Sequence, residues 1–196
     1  PHPRCRYAIC MSRRAATDAD VRRRAFPLVV GNLAPAPFAV LPFTLLTAAL
    51  LRSDIPGSRF DWWMLSAAVV TAVSLTTVFR WYRSSRQLRE NHFERLLAIT
   101  SYALLGLHFG MAPWVVATQK PDLVMMFAMF PAVAGVVGCV MTAGRPDVFR
   151  SFLIPLGVVN TATLVVQHDT HLKVIGILAI GMNAGLVLFH DSLSRN

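Results

Sequence analysis

Six stretches of this chain are almost wholly apolar and carry no Asp, Glu, Lys or Arg: Phe26 to Leu51, Trp62 to Phe79, Leu96 to Thr118, Leu123 to Ala143, Ser151 to Gln167, and Val174 to His190. Each is near the length needed to cross a hydrocarbon layer about 30 Å thick. In such a layer only a helix or a closed barrel satisfies its own backbone, and continuous apolar runs do not fit the alternating strands of a barrel. The sequence therefore predicts an all-α polytopic membrane protein, a bundle of six transmembrane helices spanning 26–190. Composition agrees: 55% of the 196 residues are hydrophobic and 15% are charged, against about 25% charged in a soluble domain.

The formal net charge of +9 would suggest nucleic acid for a soluble chain. Here the basic residues lie between apolar blocks, where they set topology and meet anionic headgroups, so the expected partner is the lipid bilayer and not nucleic acid. The arginines of the leader before Phe26, of the loop from Arg80 to Arg95, and Arg145, Arg150 and Arg195 fall on one side. Only Arg52, Arg59, Lys120 and Lys173 fall on the other. The positive-inside rule places both termini in the cytoplasm. The two lysines, Lys120 and Lys173, among 19 basic residues suggest a GC-rich bacterial genome and hence a multi-pass protein of the bacterial inner membrane. Residues 1–25 read as a basic cytoplasmic leader, with 1–10 expected to lie upstream of a start at Met11. No signal peptide is evident.

The first block is unusual because Pro27, Pro35, Pro37 and Pro42 each remove a backbone donor, predicting a kinked or broken helix, with a re-entrant segment as the rival. Trp62, Trp63, Trp81, Tyr82 and Trp114 stand at or near block ends, where amphipathic rings favour the headgroup zone. The external connections are all too short to fold as a ligand-binding domain.

Polar groups inside the blocks are few, and each is costly enough in lipid to need a reason. His108 is a buried hydrogen-bond donor or, alternatively, a ligand, haem, metal or proton site. Asn160 and Asn183 should seek each other or a backbone carbonyl, or line a pocket. Gly106 with Gly110, and Gly181 with Gly185, have the spacing that lets helix backbones approach closely. His108 and Asn183 follow the first glycine of each pair by two positions, about 200° around the helix, so they should address a different neighbour. His168-Asp169-Thr170-His171 is too loose for a metal site, and Cys5, Cys10 and Cys139 form neither a disulfide framework nor a zinc pattern. Phosphate-loop, zinc-protease and nucleophile-elbow motifs do not occur. The expectation is a chain with no catalytic site, no cofactor and no metal.

Several segments carry a family resemblance: Arg80-Trp-Tyr-Arg after the second block, Phe93-Glu-Arg-Leu leading into the third, Trp114 at its outer end, Ala143-Gly-Arg-Pro-Asp-Val-Phe before Phe152-Leu-Ile-Pro155, and the closing Leu188-Phe-His-Asp-Ser-Leu-Ser-Arg195. In this order they resemble the six-helix membrane input modules of bacterial diguanylate cyclases, often joined to a phosphodiesterase domain, and of some sensor histidine kinases. The resemblance implies a sensory domain that signals, through a linker beginning at 191–196, to a cytoplasmic output domain absent from this chain. It also implies a homodimer in the full-length protein and cyclic di-GMP as the product of the output domain. Because the external connections are too short for a ligand-binding domain, a signal is expected to act on the helices themselves, through a lipid-soluble ligand, bilayer state, membrane potential or a partner protein, with His108, Asn160 and Asn183 as the polar candidates for receiving it. The family's Gly-Gly-Asp/Glu-Glu-Phe catalytic signature does not occur in this sequence, so no catalytic or nucleotide-binding residue carries over. The rival readings are a small transporter or channel and a structural membrane subunit.

Overall fold

The computed structural model describes residues 25–51, 57–84, 92–116, 121–142 and 145–193. The leader 1–24, residues 85–91 of the basic loop and the linker residues 194–196 lie outside them. Within the described residues all regular structure is helical: α1 (25–33), α2 (Ala36–Leu51), α3 (Gly57–Ser84), α4 (His92–Gly110), α5 (Ala112–Val115), α6 (Pro121–Met141), α7 (Pro146–Val165) and α8 (Thr170–Leu193). Six segments of 20 to 27 residues are long and apolar enough to cross a membrane, with α1 and α2 together making the first, Ala25–Thr47. The helices run past the apolar blocks because a charge does not end a helix. Arg59 and Asp61 lie in α3, and Asp147 and Arg150 lie in α7.

Proline chemistry explains the interruption of the first segment. Pro35 and Pro37 cannot donate to Gly31 O and Leu33 O, so the helix opens at Ala34–Pro35, and Ala34 N takes Gly31 O over the shorter span at 3.1 Å. Other helices brace the break: Tyr102 OH donates to Val29 O at 2.9 Å, and Asn32 Nδ2 bridges to Met141 O at 2.8 Å. The third segment is also interrupted, at Met111, where Pro113 opens the short α5.

Buried residues follow a spacing of four and three. Leu33, Pro37, Val40, Thr44 and Thr47 line one edge of the first segment, and Trp63, Ala67, Val70, Ser74 and Thr77 line α3. This is the narrow seam of helices packed at a shallow angle. By contrast α7 is buried on two faces, since it packs against α4, α6 and α8. The bundle has one apolar cluster around Tyr102, Phe149, Phe152 and Leu156, and a second around Trp63, Val115, Phe127 and Leu164. The first lies toward the end where α1 begins and α8 finishes, here the terminal end. The second lies at the far end.

The closest helix contact is α4 on α7. A Cβ on Gly106 would overlap the carbonyl of Phe152, and one on Gly110 would lie 2.8 Å from Leu156 O. Among the described residues nothing lies within 4 Å of a Cβ placed on Gly181 or Gly185. Gly157 instead supplies the space on the α7–α8 side, where Asn183 Nδ2 would be 2.7 Å from an added Cβ. Backbone cannot yield as a side chain can, so Gly106→Val should separate α4 from α7 and cost about 3 kcal/mol or more. Gly185→Ala should be neutral or stabilising by up to about 1 kcal/mol through helix propensity. Thermal unfolding of the two variants in one detergent checks this contrast; equal losses would show that the α4–α7 approach is not a close one.

Candidate functional site

His108 is buried near the far end of α4, and its ring faces α2 and α3 rather than α7. This follows from its position two residues after Gly106, which turns it away from the glycine face. Ser66 Oγ lies 2.8 Å from Nδ1 and Thr44 Oγ1 lies 3.3 Å from Nε2. The indole of Trp63 stacks on the imidazole with ring centres 5.6 Å apart and planes 8° from parallel, and Phe109 meets it edge-on at 5.7 Å. Two other segments thus converge on one imidazole of the third.

Both hydroxyls also reach carbonyls of their own helices, Thr44 to Val40 O and Ser66 to Trp63 O, each at 2.7 Å. A hydroxyl has one proton to give. Around a neutral imidazole, one hydroxyl therefore accepts from the ring N–H and donates to its carbonyl, while the other turns its proton onto the bare nitrogen. Two such arrangements exist, of opposite sense, related by a change of tautomer and a turn of both hydroxyls. The site can hold a polar ring in an apolar bundle in either sense without stranding it.

The two asparagines do not form a comparable centre. Asn183 Nδ2 donates to Ala179 O of its own helix at 2.8 Å, and the buried Oδ1 atoms of Asn183 and Asn160 have no hydrogen-bond partner among the described residues. The His168–His171 segment acts as a helix start: Asp169 Oδ1 accepts from the backbone N–H of His171 at 2.7 Å and of Leu172 at 3.1 Å, capping α8. No group of three His, Cys, Asp or Glu side chains gathers among the described residues.

A second polar cluster, which sequence reasoning did not single out, lies at the terminal end. Arg145 is buried ahead of α7, meets Asp147 through two parallel bonds of 3.1 and 3.0 Å, and lies over the Phe26 ring at 5.1 Å. Arg95 of α4 joins the same carboxylate at 2.9 Å. Arg150 of α7 pairs with Asp191 of α8, and the neighbouring His190 stacks on Phe149 at 4.2 Å while its Nε2–H donates to Thr142 O at 3.1 Å. In the sequence Arg145 and Arg150 stand out as topology signals, which masks this pairing. The available clue was Arg145-Pro-Asp147, in which proline opens a helix and places a carboxylate in its first turn beside the preceding guanidinium. Thr44 and Ser66 carried a weaker clue, hydroxyls on the same helical spacing as buried apolar residues.

The hydroxyls have carbonyls to fall back on, and the imidazole does not. Removing both with Thr44→Ala and Ser66→Ala should strand the ring nitrogens and cost about 1–3 kcal/mol. His108→Phe, which keeps the stack on Trp63 and removes the polar edge, should cost less than about 1.5 kcal/mol. Unfolding midpoints in detergent give the order, and a double alanine variant more stable than His108→Phe would contradict these hydrogen bonds.

Comparison with known proteins returned no matching family model, curated protein or solved structure.

Proposed function

We propose that this chain is a membrane-embedded sensory input module, in which a change of packing within the bundle is passed along α8 to a cytoplasmic output domain. The supporting observation is the way α8 is held. It is the least buried of the six segments, and it touches the bundle along Leu172, Gly176, Ala179 and Asn183. At its terminal end, where the chain would leave the membrane, it is pinned by two polar contacts, His190 to Thr142 and Asp191 to Arg150. A helix packed along one stripe on α7 and α6, exposed over the rest of its surface and latched at one end, can shift between two packings whose difference a signal can bias.

The surrounding features support the same reading. The His108 centre can adopt two hydrogen-bond senses and shares α4 with the backbone contact to α7, which in turn carries α8. The positive-inside bias supports cytoplasmic termini and a bacterial inner-membrane setting, and the resemblance noted above supports a diguanylate cyclase, or else a histidine kinase, as the output. Such output domains act in pairs, which supports a homodimer of the full-length protein.

The reading frame beyond the Asn196 codon in the source genome tests this. Continuation into a helical linker and a cyclase or kinase core is expected, and a stop directly after that codon would overturn the proposal. In the full-length protein, truncation to begin after Met182 should abolish the response to signal while leaving a soluble catalytic domain active, and Asp191→Ala should shift the basal output by releasing the α8 latch. A response that survives the truncation would exclude transmission along α8.

A further inference from the structure

A cleft of about 280 Å³ lies between the broken first segment, α4 and α6. Exposed Pro35 and Ala39 form one lip and exposed Val133 and Val137 the other, while buried Leu105 and Phe152 form part of the floor. The opening is therefore on the outer, hydrocarbon-facing side of the bundle, and the depth reaches its core. An apolar cavity of about 150 Å³ already stays dry and accepts benzene, so this one is large enough for a longer apolar group.

Its shape is directional. Along α6 the lining runs from Phe130 to Met141, an advance of about 16 Å at 1.5 Å per residue. The long axis thus follows the helices, starting at the terminal end, and matches about half of a 30 Å hydrocarbon layer, the depth of one leaflet. The two side-chain donors on its wall are already engaged: Tyr102 OH with Val29 O, and Asn32 Nδ2 with Met141 O. A polar occupant would find little to bond with, and an empty cleft would forfeit dispersion contacts along its whole wall.

We propose that this cleft is a side-entry site for one acyl chain of a phospholipid in the leaflet at the terminal end of the bundle. The inference requires that the helices span a bilayer, but it does not depend on the signalling role. An occupant would touch Phe109, whose ring meets His108, and Val40, whose carbonyl accepts the Thr44 hydroxyl. Occupancy is in that way physically linked to the hydrogen-bonded centre.

The test uses the full chain in liposomes containing a phosphatidylcholine with a photoactivatable diazirine midway along one acyl chain, with crosslinks mapped by mass spectrometry. Buried Leu105 and Gly138 should be labelled about as strongly as exposed Ile177 on α8. Ala134→Phe, which fills the cleft, should reduce labelling at Leu105 roughly tenfold and leave Ile177 unchanged. Val137→Phe at the lip does the same if the first variant does not fold. Floor residues that stay unlabelled, or that label equally in the filled variants, would overturn the proposal. Floor labelling by a free photoactivatable alkane but not by the phospholipid would also overturn it, assigning the cleft to a lipophile that is not a bilayer lipid.

Discussion

Backbone contact between α4 and α7 determines where the rest of the bundle can be. With no hydrophobic force to drive helices together inside lipid, association depends on close packing, and only residues without side chains permit carbonyl-level approach. Gly106 and Gly110 meet Phe152 and Leu156 in this way. Once α4 is seated on α7, the opposite face of α4 must be covered by something else. Thr44 of α2 and the Trp63 and Ser66 side chains of α3 cover it, and His108 is enclosed among them. The other side of α7 receives α8, where Gly157 makes room for Asn183.

The two buried histidines show one solution applied at opposite ends. Each ring stacks on an aromatic neighbour, Trp63 for His108 and Phe149 for His190, and each ring edge meets a threonine or serine segment. The hydroxyls in these segments are back-bonded to the carbonyl three or four residues earlier: Ser66 to Trp63, Thr44 to Val40, and Thr142 to Gly138. Back-bonding keeps a polar side chain satisfied without a partner, so a hydroxyl can stand next to an imidazole in an apolar bundle at low cost. At the terminal end the same economy extends to full charges, since buried Arg145 is paired with the Asp147 carboxylate and lies over the Phe26 ring.

Much of this was legible in advance, for reasons that differ by residue. The six segments, the weakness of the first at Pro35 and Pro37, and the turn of His108 away from its flanking glycines all follow from backbone geometry local to one helix. The partners of His108 were not legible, because Thr44 and Ser66 look like any other hydroxyl on an apolar helix until a neighbour is assigned. The Arg145–Asp147–Arg95 cluster was hidden for a related reason: in sequence, arginines next to apolar blocks first signal orientation, and only the packing of α4 beside α7 shows that two of them share one carboxylate.

The glycine pairs mark the division most sharply. Gly106 with Gly110 and Gly181 with Gly185 have the same spacing and similar apolar surroundings, yet the first pair is pressed against a helix backbone and the second meets no neighbour among the described residues. Sequence by itself determined the helices, their lengths and which residues share a face, because segments this apolar satisfy their own backbone as helices and the side-chain period is set by the helix. Tertiary structure alone decided which face meets which neighbour, since that choice depends on how six such surfaces fit together at once, and no single helix carries that information.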